Sequence, residues 1–473
     1  MHHSKTKKII NMKKIFLIIA APIILFGSGC SGWVDDVSTS PNSPTEVTPA
    51  LLLSVSEVAM QTLYTGQLAR TSSILMQHSA GNDFQMIDIR DYKITEQSNT
   101  NEWKTFYADA LINQQELINV AGAENPYYRG IATVLKCMTI GLATDFYGDI
   151  PYSQALNGLD ATAEALNPAY DSQESIIAAI QNELNGAITD LSAPATSNAV
   201  LPGADDFIHN GDVSMWIKAA YMLKARYANR LSERDATGSA NDALAFLASA
   251  GLTSNADNTN AIFGINGNEL NPWASFNTTR ANYIKMGEFF INLLSSTNDP
   301  RLPLYATLDD DGGYSGVATN SEDPSASNTG SLYSSDANPL PLLTYYEMKF
   351  IEAEAQMRLG NTGAAATAYN DAVKANILAT VGAPDPTYEA ANASETAGTI
   401  TMEKIMTQKY IAMFTQCETW ADWRRTGLPA LTPNPDAIVD GIPVRFPTCI
   451  DERLYNTNAV VIGDILAPVW WDN

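Results

Sequence analysis

Hydrophobic residues return every three or four positions along most of the chain, which is the period of a helix that buries one face. From Pro49 onward this spacing holds through Leu52, Val55 and Leu63. Further helices are predicted at residues 101–120, 126–146, 171–191, 214–231 and 401–416. After residue 416 the chain is rich in Pro and Trp and is predicted to be irregular. The pattern therefore predicts a protein of the all-α class, in which helices make up most of the ordered structure.

One stretch carries the spacing of a known helical repeat. Between Tyr345 and Asn376, small and aromatic residues occur at the relative positions they hold in a tetratricopeptide helical hairpin. The residues concerned are Ala353, Gly360, Ala365, Tyr369 and Ala372. Gly360 and Asn361 would form the turn. Because one hairpin cannot bury its own face, we expect neighbours of the same kind among the earlier helices.

A long segment interrupts the helical pattern. Residues 239–341 are rich in Asn, Ser, Gly, Asp and Thr, with scattered aromatic residues. Inside a helical protein, such a segment is an insertion or a layer of functional loops. The predicted architecture is a tetratricopeptide-like scaffold with a large, irregular, loop-rich insertion.

Aromatic side chains beside amides and arginine mark two polar segments. Aromatic rings stack on the apolar faces of sugars, and amide or guanidinium groups bind the hydroxyls. The same groups also suit a peptide, and any one ring could instead pin its loop to the core. The candidate ligand contacts are Trp273, Phe276, Asn277 and Arg280 in one segment, and Asn82, Asp83 and Phe84 in the other. The sequence does not establish that the two segments meet.

The charge of the chain restricts its partners. The formal net charge is −24, and the N-terminal segment is basic, so the remainder is more acidic still. A nucleic-acid partner would need a basic surface, and we expect none. An acidic surface mainly keeps a protein soluble.

We find no catalytic motif. Two of the four histidines lie near the N-terminus, and the other two, His78 and His209, are far apart in sequence. The motifs of zinc proteases, serine hydrolases and P-loop enzymes are absent. Asp309 and Asp311 lie in a Gly-rich run that could hold calcium, but the run lacks the EF-hand spacing, and a solvated turn is the simpler interpretation. We predict a protein that is not an enzyme and that has no cofactor.

The N-terminal region has the form of a lipoprotein leader. Two lysines after Met12 precede an apolar run and then small residues before Cys30. The predicted organisation is a signal peptide at residues 1–29, with its start at Met12, then the lipidated Cys30 with a tether to residue 49, and a single domain at 50–473. An ordinary secretory signal is the alternative. Of the remaining cysteines, Cys417 and Cys449 could pair in an exported protein. Cys137 and Cys417 lie in apolar helical patterns, where buried free cysteines are common and are the favoured interpretation.

Several phrases resemble the SusD/RagB family of outer-membrane lipoproteins, especially its SusD-like 2 branch. They include ATDFYGDIPYSQAL, GDVSMWIKAAYMLKARYANRLS, NDPRLPLY and PVWWD, and they occur in the family's order. The other matching stretches are Ser38–Leu53, Pro168–Ile176, Leu343–Asn361 and Gln408–Leu431. These phrases are typical of the scaffold. The family's ligand contacts do not carry over by motif, so the candidate contacts rest on loop chemistry.

The resemblance implies four tetratricopeptide-like helix pairs and a lipid anchor in the outer membrane of a Bacteroidetes-type bacterium, facing the cell exterior. It also implies a partner, a SusC-like TonB-dependent transporter, to which the lipoprotein delivers a captured nutrient. The ligand is most often an oligosaccharide, and an oligopeptide is the alternative. Two other hypotheses stay open. A surface glycoside hydrolase would need two carboxylates in one cleft, and a structural interaction protein would use only its helical grooves.

Overall fold

The computed structural model of the chain describes residues 47–157, 162 and 166–472. The helices are α1 Pro49–Thr65, α2 Gln67–Leu75, α3 Gln85–Arg90, α4 Thr100–Lys104, α5 Ile112–Ala121, α6 Pro126–Tyr147, α7 Gln173–Leu191, α8 Val213–Arg230, α9 Ala236–Ala250, α10 Pro272–Thr279, α11 Glu288–Ser296, α12 Leu302–Tyr305, α13 Ser331–Ser334, α14 Tyr345–Arg358, α15 Thr362–Val381, α16 Pro386–Asn392, α17 Met402–Ala412, α18 Glu418–Thr426 and α19 Ile450–Tyr455. A π-helical turn, Thr105–Leu111, joins α4 to α5. The strands are β1 Ser79–Gly81, β2 Ile150–Pro151, β3 Tyr170–Asp171, β4 Thr259–Ala261, β5 Ile284–Met286 and β6 Leu340–Leu343.

The long helices pack on one another in chain order. The series runs from α5 through α6, α7, α8 and α9 to α14 and α15, with each helix packed on the next. Polar side chains begin several of these helices, because Ser172, Asp212 and Thr344 each accept a hydrogen bond from a first-turn N–H. Such a stack of neighbours is the arrangement of helical-repeat proteins. The predicted mainly helical, tetratricopeptide-like fold is confirmed.

The predicted hairpin forms with its turn where expected. Helices α14 and α15 meet at Gly360, which has a φ of 77°, a conformation that favours glycine. Two boundaries were predicted wrongly. Helix α9 begins before residue 239 and runs to Ala250, within the segment predicted to be irregular. The pattern concealed it because its buried face is built from small residues such as Ala240 and Ala243. Helix α18 follows residue 416, where its many charged residues hide the helical pattern.

Residues of the loop-rich segment return to the scaffold through short strands and one buried ion pair. Strand β4 pairs with β6, and β5 pairs with β1, both antiparallel. Arg301 is fully buried, pairs with Asp299 at 2.6 Å, and donates to Asn376 of α15 and to Gln408 of α17. The NDPRLPLY phrase thus fixes the segment onto the last helices of the stack.

A network of buried ion pairs joins five helices in the interior of the scaffold. Its members come from α6, α8, α14, α17 and α18, and none of their side chains is more than 9% exposed. They are Asp145, Arg226, Arg230, Glu347, Glu354, Lys409, Glu418, Asp422 and Arg425. Such charges can be buried only when opposite charges and hydrogen bonds compensate the loss of water.

The geometry of this network meets that requirement. Arg425 lies 2.6 Å from Glu354 and 2.8 Å from Asp422. Arg230 lies 3.0 Å from Asp145 and 2.8 Å from Glu418. Burial alone would raise the pKa of Glu354, but the charge of Arg425 outweighs it and lowers that pKa to about 2. The Glu354 carboxylate is therefore held ionised, whereas burial outweighs the arginines at Asp145 and Glu347 and raises the pKa of both carboxyls.

Three cysteines lie in the described part of the chain, and all are buried and free. The Cys417 thiol faces the carbonyl of Tyr64, and the Cys449 thiol faces the hydroxyl of Thr100. The disulfide considered between Cys417 and Cys449 does not form in this structure. The predicted signal peptide, Cys30 and most of the tether lie outside the described residues.

One compact unit runs from Pro49 to Asn473. Within the described ranges, no helix combines the length and apolar character needed to cross a membrane.

Candidate ligand-binding groove

The short β1–β5 ladder brings the two predicted contact segments together. Ser79 pairs with Met286, and Gly81 pairs with Ile284, so the chain leaves β1 at the same end of the ladder at which it enters β5. Beyond that end, the Asn82 N–H donates to the Tyr283 carbonyl at 2.8 Å. The segments around Asn82–Phe84 and Pro272–Tyr283 are therefore neighbours, which the sequence left undecided.

An exposed pair of stacked rings lies at this junction. Phe84 is 64% exposed, and its ring stacks on Tyr283 with 4.8 Å between centroids and 22° between planes. Its backbone has φ 46° and ψ −133°, a sparsely populated conformation for a residue with a side chain. The Asp83 carboxylate accepts a hydrogen bond from the Phe84 N–H at 2.9 Å. The fold thus keeps a strained backbone in order to display a large apolar ring, and we call this pair the Phe84–Tyr283 platform.

The second segment is a helix and not a loop. Asn271 begins α10 by accepting a hydrogen bond from the Trp273 N–H at 2.9 Å, and Pro272 occupies the first turn. This start directs Trp273 into the interior, where its side chain is fully buried. An indole without an exposed face cannot stack on a ligand. The expectation for Trp273 is corrected: it anchors α10 to the core.

Two further predicted contacts have buried side chains. Asn82 is buried, donates to the Asn282 carbonyl and accepts from the Asp323 N–H at 2.6 Å, so its side chain holds the loops together. The expectation of amide contact at Asn82 is corrected on this ground. The Phe276 ring is also buried, with 6% exposed, but it lines a cavity, so its contact with a ligand stays a prediction. Arg280 is exposed, Asp83 and Asn277 are half-buried, and these three remain accessible with Phe84.

A groove opens beside α10, between the end of α1, the start of α2 and the beginning of α4. Its first cavity has a volume of about 470 Å³ and is lined by Gln67, Arg70, Asn101, Glu102, Phe276 and Arg280, among others. A second cavity of about 690 Å³ shares Gln67, Asn101 and Glu102 and extends along α3. Because they share these three lining residues, we describe the two adjacent cavities together as one groove.

Charged groups of opposite sign line this groove. Burial and the nearby charge of Arg280 lower the pKa of the Arg70 guanidinium to about 10. Burial raises the pKa of the Glu102 carboxyl above its usual range. Arg70 and Arg280 both lie over the ring of Phe276, at 4.4 and 5.3 Å from its centroid.

Sequence reasoning did not select Gln67, Arg70, Asn101, Glu102 or Tyr283. One signal could have identified Arg70. It lies in a helical stretch with Gly66, Gln67, Ser73 and Ile74 at the positions three and four residues away, so no carboxylate on its own helix can pair with it. The other four residues meet the groove through contacts with distant parts of the chain, which local spacing does not predict.

The calcium candidates form a turn. Asp309 accepts hydrogen bonds from the N–H groups of Asp311 and Gly313 at 3.1 and 2.7 Å. No group of three or more His, Cys, Asp or Glu side chains that could hold a metal ion occurs among residues 47–157, 162 and 166–472.

Another cavity, of about 490 Å³, also contacts β1. It is lined by Gln77, Arg90, Phe289 and Asn434, and by none of the predicted contact residues. Arg90 is already bound to Asp91 at 3.0 Å and to Glu322 at 2.6 Å. We therefore place the candidate site in the groove beside α10.

Comparisons with known proteins agree on one family. A family model described as "Starch-binding associating with outer membrane", SusD-like 2, matches residues 41–447. Similar solved structures include a chitin-binding protein, at 24% identity and TM-score 0.77, over 90% of this chain and 100% of that one. A chitin-binding SusD homologue from Flavobacterium johnsoniae is 20% identical, with TM-score 0.77, over 90% of this chain and 98% of that one. No curated protein matches the chain.

A third structure, of a SusD/RagB family protein from Bacteroides thetaiotaomicron, is 22% identical, with TM-score 0.73, over 90% of this chain and 99% of that one. At these identities, the likeness to solved structures establishes the fold.

Proposed function

The chain belongs to the SusD-like 2 family of starch-binding proteins that associate with the outer membrane, and from that premise we propose that it captures an oligosaccharide at the cell surface. In this proposal the protein is held by acyl chains on Cys30 and delivers its ligand to a SusC-like TonB-dependent transporter. It binds and does not hydrolyse the ligand.

The observation that carries the proposal is the Phe84–Tyr283 platform. An exposed ring on a strained backbone costs the free protein stability, and such strain is found where a residue serves function. Sugar rings have apolar faces that stack on aromatic side chains. The groove beside the platform supplies amides at Gln67 and Asn101 that can bind the hydroxyl rim.

The choice of first probes follows from the relatives. The family description names starch, and two of the similar structures are described as chitin-binding. We therefore choose maltohexaose and chitohexaose as neutral probes, which differ in linkage and in the N-acetyl group.

The test is isothermal titration calorimetry, in which the purified full chain is titrated with each probe in turn. Phe84→Ala removes the exposed ring and is expected to weaken binding by about tenfold to a hundredfold, since a buried aromatic contact contributes about 1–3 kcal/mol. Tyr455→Ala is the matched control, because Tyr455 is 75% exposed on α19 and lines neither cavity of the groove. Equal affinities of the Phe84→Ala variant and the unaltered chain would remove the platform from the site.

The same samples test the alternatives. An oligopeptide library that binds when both sugars do not would replace the sugar by a peptide ligand. Shortened products after prolonged incubation with either sugar would indicate a hydrolase. Co-purification of the transporter with the lipidated chain, and its loss when the chain lacks Cys30, tests the delivery step.

A further inference from the structure

Two arginines in the groove have no carboxylate at ion-pair distance among the described residues, although the charge of Glu102 acts on Arg70. The structure gives neither Arg70 nor Arg280 an ion pair within its described residues. Arg70 is 9% exposed, and its Nε has no hydrogen-bond partner among the described residues. Its other nitrogens reach the Pro272 carbonyl and the Gln67 amide oxygen only at 3.4 Å. A guanidinium so deeply buried is costly unless charge or good hydrogen bonds compensate it.

The two guanidinium groups converge on one ring. The Arg70 and Arg280 Cζ atoms lie 4.4 and 5.3 Å from the Phe276 centroid. Stacking on an aromatic face compensates a cation in part. It does not neutralise it, and two like charges held this close repel each other. The groove therefore keeps two adjacent positive charges with unused hydrogen-bond donors.

A helix N-terminus adds partial positive charge to the first cavity. Helix α2 begins at the cavity with Gly66 and Gln67, and its first turn has no side-chain cap. The start of a helix carries partial positive charge and favours anions. Glu102 is the one acidic side chain among the described residues that line this cavity. The chain as a whole has 52 acidic and 28 basic residues, so this positive cluster is not part of a generally basic surface.

We propose that the groove binds an oligosaccharide that carries an anionic group, a carboxylate or a sulfate ester, held between Arg70 and Arg280. The inference rests on the proposed capture function and adds the charge of the ligand. Phe276 contacts Tyr283 at 6.1 Å between centroids, and Tyr283 stacks on Phe84 at 4.8 Å. The anion therefore binds next to the platform on which a neighbouring sugar ring stacks. Guanidinium groups bind carboxylate and sulfate oxygens through paired N–H donors.

The test compares ligands that share one sugar backbone and differ in whether its anionic groups are present. Tetragalacturonate and its fully methyl-esterified form are the carboxylate pair, and a sulfated tetrasaccharide and its desulfated form are the sulfate pair. We expect the purified full chain to bind the charged member of one pair at least about tenfold more tightly at low salt. The advantage should shrink as salt is raised, because exposed charges are screened. The pair that shows the difference identifies the source of the anion.

Variants assign that difference to the groove. Arg280→Gln changes an exposed residue and should reduce the affinity for the charged sugar about tenfold, while the affinity for the neutral one stays within about twofold. Arg70→Gln should act in the same direction. Arg234→Gln is the matched control, because Arg234 is exposed and lies over Trp470 at 4.7 Å, outside the groove. It should change neither affinity.

Four outcomes would overturn the inference. Two concern affinity: the charged and neutral members of both pairs bind equally tightly, or Arg280→Gln weakens the charged and the neutral sugar by the same factor. The other two are that an acidic peptide binds in an Arg280-dependent way while no sugar binds, or that no probe binds at all. Failure of the proposed function is recognised separately. If neutral sugars bind and Phe84→Ala weakens them, capture stands and only the anion inference fails. If no charged or neutral sugar binds, capture fails as well.

Discussion

Arginine occurs in two opposite settings in this molecule. In the scaffold interior, Arg226, Arg230 and Arg425 each lie within 3.0 Å of a carboxylate. In the groove, Arg70 and Arg280 lie over a phenyl ring and meet no carboxylate within 4.0 Å among the described residues. The first setting pairs its charges with carboxylates inside the protein, so it stabilises one arrangement of helices. The second setting has no carboxylate at ion-pair distance among the described residues, so its charge is available to another molecule.

The largest effect is expected from breaking the first setting. Arg425→Met should lower the free energy of unfolding by about 3–5 kcal/mol, because it removes the nearest cation from the buried Glu354 and leaves Asp422 with Lys409 as its one ion-pair partner among the described residues. Denaturant unfolding followed by circular dichroism measures the change. Arg280→Met, at an exposed position, should change the same quantity by less than about 0.5 kcal/mol. Similar losses in the two variants would contradict the distinction between the two settings.

The next effect is a dependence of stability on pH. Burial lowers the pKa of His78 to about 3 and that of His209 to about 4. Between these values and the ordinary histidine pKa near 6.5, the unfolded chain binds protons that the folded chain does not. Stability should therefore fall on acidification below pH ~6.5, by about 1.4 kcal/mol per pH unit for each histidine.

At lower pH the carboxylates of the ion network add to this loss. The pKa of Glu354 is lowered to about 2, so its contribution is present above the ordinary pKa near 4.5 and is lost as the pH falls toward 2. Urea midpoints measured from pH 7 to pH 3 check both ranges. His78→Gln should reduce the slope between pH 6.5 and 5, and an unchanged slope would show that His78 is not the group responsible.

The smallest effect concerns the groove and has the opposite sign. Phe84→Gly should be more stable than Phe84→Ala by about 1 kcal/mol, because glycine adopts a φ of 46° without strain. Both variants should lose oligosaccharide binding to the same extent. Thermal unfolding and calorimetric titration of the two proteins make the comparison. Greater stability of the alanine variant would show that the backbone at Phe84 stores no strain.

The scaffold was predictable because its signals are local. The hairpin of α14 and α15 follows from spacing within one stretch, and its turn at Gly360 follows from conformational preference. The ion network was predictable only in part. The pairing of Arg425 with Asp422, three residues away, is a local signal, whereas Arg230 finds Asp145 from 85 residues away. Charges that pair over such distances look like an ordinary polar surface in the sequence.

The sequence indicated the two segments that lie at the groove, but it did not indicate which of their side chains face it. Residue chemistry identified the segments that contain Phe84 and Arg280, but β1 and β5 have only three residues each and give no readable alternation. Polar composition concealed helix α10, so Trp273 was assigned to the surface although it is buried. Arg70 was missed because its contacts with Pro272 and Phe276 come from a segment about 200 positions away, which local spacing does not reveal.

The β1–β5 ladder determines how binding specificity could be transferred to a relative. Its paired residues, such as Gly81 and Ile284, come from parts of the chain about 200 positions apart. A graft of the Asn82–Phe84 loop alone would transfer the Phe84 ring without Tyr283, on which it stacks. A graft of Pro272–Tyr283 alone would transfer Tyr283 without Phe84. Under the proposed function, transfer of binding specificity therefore requires both segments to be exchanged together.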